Sequence, residues 1–205
     1  MKVYTAPEIY QHKYLQFRVF LAGGITNCPD WQKMVIDELS KYDDTDLLVI
    51  FNPRRDSFDV TDKSASRKQI EWEFEHQGRS DFNTMFFCDG PSDQPICMYE
   101  LGKFIEEMDL YSMYINSNDL LVTCMSGYKR LEDVLIQTEI ATYDAIKPAV
   151  FDTYEEAVKH HAAEIVKKYR KYIKNVVARD GLLHRKLRDC IREKLDKEAV
   201  QYENG

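Results

Sequence analysis

With 205 residues, 44% of them hydrophobic, and a formal net charge of −7, the chain can bury a sizeable core as one domain with an appendage, without staples. No stretch reaches the roughly 20 apolar residues of a membrane span, and Cys28, Cys88, Cys97, Cys124 and Cys190 show neither a Cys-x-x-Cys pair nor Cys/His ligand spacing, against a disulfide framework or zinc module. Residues 1–151 carry 15 Lys and Arg against 25 Asp and Glu, residues 152–205 carry 13 against 10, and so acidic a body disfavours nucleic-acid binding, which rests on phosphate neutralisation.

An odd cysteine count without a framework, together with an amino terminus lacking an apolar run, points to a reducing, cytoplasmic setting. After a polar, Tyr-rich leader, Phe17-Arg18-Val19-Phe20-Leu21-Ala22-Gly23-Gly24-Ile25 reads as a buried strand feeding a tight turn. Asn27 to Asp30 supply capping residues and a proline for a helix from Trp31 to Tyr42. Gly23 and Gly24 would let the backbone approach a ligand closely beside that helix N-terminus; a plain strand-to-helix turn explains them equally well.

Leu47 to Phe51 form a second apolar run that leads into Asn52-Pro53-Arg54-Arg55-Asp56, at a carboxyl strand end where ligand loops sit. Asn52 offers a donor and an acceptor, and Arg54 a planar fork suited to carboxylate or phosphate. The polar stretch from Ser57 to Ser66 reads as a flap, and a helix follows from Arg67 to Gly78. Trp72 within it is either a core anchor or an aromatic wall for a planar ligand.

Asp81 leads into a strand from Asn83 to Cys88, a polar loop ending in Gln94, and a helix carrying Glu100 that runs to about Tyr111. A fourth strand spans Asp119 to Met125, a helix Arg130 to about Ala145, and a short fifth strand Pro148 to Phe151. Strands alternating with helices imply a parallel sheet of about five strands with helices on both faces. From Thr153 the character is purely helical, with a capping-box pattern at Thr153 to Glu156, a break at Asp180-Gly181 and a second helix to about Val200. The expected organisation is a domain over 1–152 and a C-terminal helical hairpin over 153–205. His160, His161 and His184 lack metal-ligand spacing and are expected on the surface. No cofactor is expected.

In order, Val19 to Ile25 with Trp31, Phe51-Asn52-Pro53-Arg54-Arg55, Gln69 to Glu73, Asp81, Pro95 to Gly102, and Tyr128-Lys129-Arg130 with Asp133-Val134 and Gln137-Thr138 resemble the nucleoside 2-deoxyribosyltransferase-like superfamily over residues 17–150. The resemblance implies a flavodoxin-like, doubly wound α/β core and a homodimer or higher homo-oligomer. It further implies that Glu100 is a nucleophile attacking C1′ of a deoxyribonucleoside, with transfer of the sugar to a second base. It also implies that Asp81 acts near the base and its proton. Gly23, Gly24, Trp31, Asn52, Pro53, Arg54, Trp72 and Gln94 are then the expected substrate-binding residues. A carboxylate suits this chemistry because it both stabilises an oxocarbenium-like centre and bonds to it covalently. Gln94 stands six positions before Glu100, where many of the transferases carry an acid, and glutamine cannot serve as one. Two alternatives therefore stand beside the transferase: a nucleoside or nucleoside 5′-monophosphate N-glycoside hydrolase, and a non-catalytic nucleotide sensor.

Overall fold

The computed structural model describes residues 1–13, 15–42, 46–55, 63–112 and 120–179. The polar stretch expected as a flap falls mostly, and the second helix of the expected hairpin together with His184 wholly, outside these residues. The elements run β1 (Lys2–Thr5), β2 (Phe17–Gly23), α1 (Trp31–Leu39), β3 (Leu48–Asn52), α2 (Lys63–Arg79), β4 (Phe82–Phe87), α3 (Pro95–Ser112), β5 (Leu120–Met125), α4 (Leu131–Thr142), β6 (Ala149–Phe151) and α5 (Tyr154–Arg179). The six strands form one sheet in the order β1-β3-β2-β4-β5-β6, and every pairing is parallel. No described helix is long and apolar enough to cross a membrane.

The fold is the expected flavodoxin-like α/β sheet, with one strand added. The leader contains β1, which pairs at the edge with β3 from Lys2 opposite Val49 to Thr5 opposite Asn52. Its residues are half-buried, as on an edge with only one neighbour, and Lys2 dilutes the apolar signal that marks central strands. Tertiary packing supplies what the pattern lacks: Tyr10 packs edge-on to Tyr4 at 5.2 Å and to Phe51 at 5.1 Å.

Central strands alternate between two apolar faces. Phe20, Ala22, Phe51, Met85, Phe87, Val122 and Cys124 join Trp72 of α2, Leu101 and Phe104 of α3 and Val134 of α4 in one core. Phe86 and Thr123, on the opposite face, meet α1 and α5. Trp31 stacks on Phe86 at 4.6 Å, and His161 hydrogen-bonds through Nδ1 to the Thr123 hydroxyl at 2.9 Å. Burying both faces explains why β2 to β5 read as continuous apolar runs.

One expectation is overturned on this face: His161 is fully buried rather than on the surface. The stripe Ala157, His161, Ile165 recurs every four residues and faces the sheet, so the imidazole enters with its apolar neighbours. The first compact unit spans Met1–Lys167 and includes these turns of α5. In the second unit, which starts at Lys168, the described residues continue the helix to Arg179.

Candidate active site

A cavity of about 310 Å³ lies at the carboxyl ends of β2 and β4 and beside the start of α3. Its walls are Phe20 and Ala22 to Thr26 from β2 and its turn, Pro53 after β3, Glu73 from α2, and Ser92, Gln94 to Cys97 and Glu100 from the loop and helix after β4. The volume sits at the lower end of the range of small-molecule pockets, about 300–1,000 Å³.

The β2 turn is shaped by two glycines at which a Cβ would enter space already occupied. Gly23 has φ +150°, and a Cβ there would lie 2.4 Å from the Phe86 carbonyl oxygen. A Cβ on Gly24 would meet Gln94 Oε1 at 2.4 Å and Cys28 Sγ at 2.6 Å. Trp31 is fully buried beneath this turn and donates its indole N–H to the Gly24 carbonyl at 2.9 Å. It holds the pocket floor rather than lining it.

Gln94 does line the cavity, yet its amide is committed to the backbone. Its Oε1 accepts from Cys88 N–H at 3.1 Å and its Nε2 donates to the Cys88 carbonyl at 2.6 Å. This clip folds the loop back onto the end of β4, with Gln94 itself at φ +47°. Tyr128 donates to the Asp93 carbonyl at 2.9 Å and Lys129 to the Pro91 carbonyl at 2.7 Å, anchoring the loop from the far side. Pro95 then opens α3, where its fixed φ suits the first helical position, and Glu100 follows in the second turn.

Glu100 and Glu73 reach one cavity from two helices. Burial, followed by the charge of Glu73, pushes the Glu100 carboxyl up to about 7, against a hydrogen bond from Gln77 and the Lys103 ammonium. Burial also raises Glu73, opposed by a hydrogen bond from Gln69 and by the Arg55 guanidinium. Each carboxylate is held by a glutamine of α2. Gln69 Nε2 donates to Glu73 Oε1 at 2.6 Å and to the Pro53 carbonyl at 2.8 Å, and Gln77 Nε2 donates to Glu100 Oε1 at 2.5 Å. Two interacting carboxylic acids titrate as a pair. With its upper ionisation near neutrality, such a pair offers one carboxylate and one acid at the same time.

The expected site residues divide accordingly. Gly23, Gly24, Pro53, Gln94 and Glu100 are brought together at the cavity. Asn52 stands behind it, its side-chain oxygen accepting from the Arg54 N–H at 3.0 Å. Arg54 is spent on the β2–α1 loop: its guanidinium donates to the Pro29 carbonyl at 2.8 Å and to Gln32 at 2.9 Å, and reaches the Gly24 and Ile25 carbonyls at 3.3 Å. It ties the turn down and presents no fork to the cavity. Trp72 takes the core reading, stacked on His76 at 4.0 Å with its indole N–H donating to the Glu8 carbonyl at 2.8 Å.

Asp81 is placed furthest from expectation. It precedes β4 at the amino-terminal rim, where both its oxygens accept from the Arg18 side chain at 2.8 Å and Oδ2 also accepts from the Arg18 backbone N–H. From Arg18 to Gly23 the strand rises about 16 Å, so this carboxylate lies at the opposite end of β2 from the Gly23-Gly24 turn, and it does not line the cavity. The second acid in the pocket is Glu73, which is absent from the residues expected at the site. A signal for it exists in the sequence: Gln69, Glu73 and Gln77 recur at four-residue spacing, a polar column on one face of a helix. Among the described residues, no group of three or more His, Cys, Asp and Glu side chains is arranged to hold a metal ion.

The family model described as "Nucleoside 2-deoxyribosyltransferase like" matches residues 16–125, a stretch that contains every residue lining the cavity. No curated protein matches the chain.

Proposed function

Since the chain belongs to the nucleoside 2-deoxyribosyltransferase-like family, we propose that it cleaves the N-glycosidic bond of a deoxyribonucleoside and transfers the sugar to another base. The observation that carries this reading is the Glu73–Glu100 pair facing one small cavity with its titration raised toward neutrality. An ionised Glu100 oxygen attacks C1′ and forms the glycosyl ester as the C1′–N bond breaks. The pair's one proton, held at rest by Glu100 against the Glu73 charge, passes to Glu73 to free the nucleophile; the electron pair leaves with the base, which takes that proton from Glu73. A second base then attacks C1′, returns its proton to Glu73, and releases the ester electrons to Glu100.

In this scheme Gln94 needs no acidity, because the proton is shared by Glu73 and Glu100 and reaches the base from α2 rather than from the loop. Gly23 and Gly24 line the cavity, and Pro53 and Ile96 add apolar walls. The reading extends to assembly. Ile70 and Phe74 on α2 and Ile96 and Tyr99 on α3 are all more than half exposed, an apolar surface beside the pocket that a second copy of the chain would cover. Light scattering that finds only monomer would count against this.

Incubating a deoxyribonucleoside with a different free base tests the chemistry. A new nucleoside, seen by chromatography and lost in Glu100→Ala, is the expected result. Free sugar released regardless of acceptor would instead assign hydrolysis, and binding without turnover would leave a sensor.

A further inference from the structure

Gln77 joins Glu100 to a cation that never reaches the cavity. It is buried on α2, only 4% exposed, and uses both ends of its amide. Nε2 donates to Glu100 Oε1 at 2.5 Å, while Oε1 accepts from Lys103 Nζ at 3.1 Å. An ammonium can only donate and a carboxylate can only accept. Lys103 therefore dictates which way the amide points: turned over, it would set N–H against ammonium and carbonyl against carboxylate. Lys103 is itself restrained, lying 4.3 Å above the Phe74 ring and 3.7 Å from Glu107.

We propose that Gln77 and Lys103 form a positioning relay for Glu100, in which Lys103 orients the Gln77 amide and the amide N–H fixes one Glu100 oxygen, leaving the other as the reacting atom. Neither residue lines the cavity, so neither touches substrate. The relay answers a specific difficulty of this site. Burial and Glu73 both favour a protonated Glu100, whereas attack requires the carboxylate, and Gln77 and Lys103 are the two groups that oppose the shift. The remaining titratable neighbour, Cys97, is itself pushed up by burial and by Glu100, so it stays neutral. Arg55 acts on Glu73 and thus bears on the same balance from the other side.

The relay rests on the nucleophile reading for its purpose, and the test keeps the two apart. Carboxyl titration by ¹³C NMR on the full chain, with Glu100 assigned through Glu100→Gln, gives its midpoint without any turnover. The pH profile of new-nucleoside formation gives the acid limb of kcat. In Gln77→Met the midpoint and the limb should both rise by about one unit, the effect of losing one hydrogen bond to a charged acceptor, and kcat at pH 6 should fall about tenfold with little change in KM. Lys103→Met should move both in the same direction by less, and Lys103→Arg should restore them. A Glu100 midpoint unchanged in Gln77→Met overturns the relay. Should Gln77→Met fail to fold, equal midpoints in Lys103→Met and Lys103→Arg overturn it instead. A shifted midpoint in a protein that turns over no nucleoside supports the relay and defeats the nucleophile reading.

Discussion

Glu73 and Glu100 enter the same cavity from α2 and α3, and the charge of Glu73 is second only to burial in raising the Glu100 carboxyl. Their closeness arises from the packing of two helices against one sheet face, where α2 presents Glu73 and Gln77 on the same stripe.

Glu73→Gln separates the two effects of this carboxyl. With the neighbouring charge gone, the Glu100 midpoint should fall, so the acid limb of the pH profile moves to lower pH. With the proton donor gone, the plateau should drop by roughly 10²- to 10⁴-fold. Full activity in this variant would rule out Glu73 as the acid.

Gly24→Ala should damage the site through the Gln94 clip. Its Cβ would stand 2.4 Å from Gln94 Oε1 and 2.6 Å from Cys28 Sγ, forcing the amide off Cys88 and releasing the loop that opens α3. A stability loss of about 1–3 kcal/mol is expected from the overpacking, with a larger loss of activity than of stability. Gly23→Ala adds backbone strain at φ +150° and a clash with the Phe86 carbonyl, and should be the worse of the two by chemical denaturation.

Asp81→Asn should behave oppositely. Its carboxylate caps the Arg18 fork on the far rim, in a half-buried ion pair with side chains 26% and 21% exposed. Losing it should cost about 1 kcal/mol, the upper end for partly exposed pairs, while turnover stays within about twofold of the wild type. A loss of turnover as large as a missing general acid brings, roughly a hundredfold or more, would restore Asp81 to the reaction and displace Glu73.

His161 makes acid stability a test of the α5 face. Burial depresses its imidazole to about 3, from an ordinary 6.5, so the folded protein resists a proton that the unfolded chain accepts. Stability is therefore lost as pH falls below about 6.5. Relative to His161→Asn, the wild type should lose about 2–3 kcal/mol between pH 7 and pH 4.5, measured by urea unfolding at the two values. Parallel losses in both proteins would contradict the buried, neutral imidazole.

The apolar runs of β2 to β5 and the glycines at Gly23 and Gly24 were legible because both reflect local demands. A strand buried on both faces is mostly apolar, admitting Thr84 and Thr123 where their hydroxyls are hydrogen-bonded, and a turn packed against the Phe86 carbonyl must lack a Cβ. Glu100 was legible as well, as a carboxylate early in a helix after a polar loop. β1 was hidden because an edge strand is stabilised by one neighbour and by Tyr10 folding over it, neither of which leaves a pattern. Arg54 and Trp72 carried the chemistry of ligand contacts but serve the scaffold, since a guanidinium satisfies a carbonyl-rich loop as readily as a phosphate.

Asp81 and Glu73 mark the boundary most sharply. They lie eight residues apart in one chain segment and are both acids preceding or within reach of β4, so sequence order ranks neither above the other. The helix turn at Glu73 points to the carboxyl rim and the strand start at Asp81 to the amino rim. The sequence by itself determined the parallel α/β sheet, its glycine turn and the carboxylate on α3, because each follows from local burial and backbone geometry. Which second carboxylate shares the cavity was decided only by the tertiary structure, because the direction of α2 across the sheet sets which end of it meets Glu100.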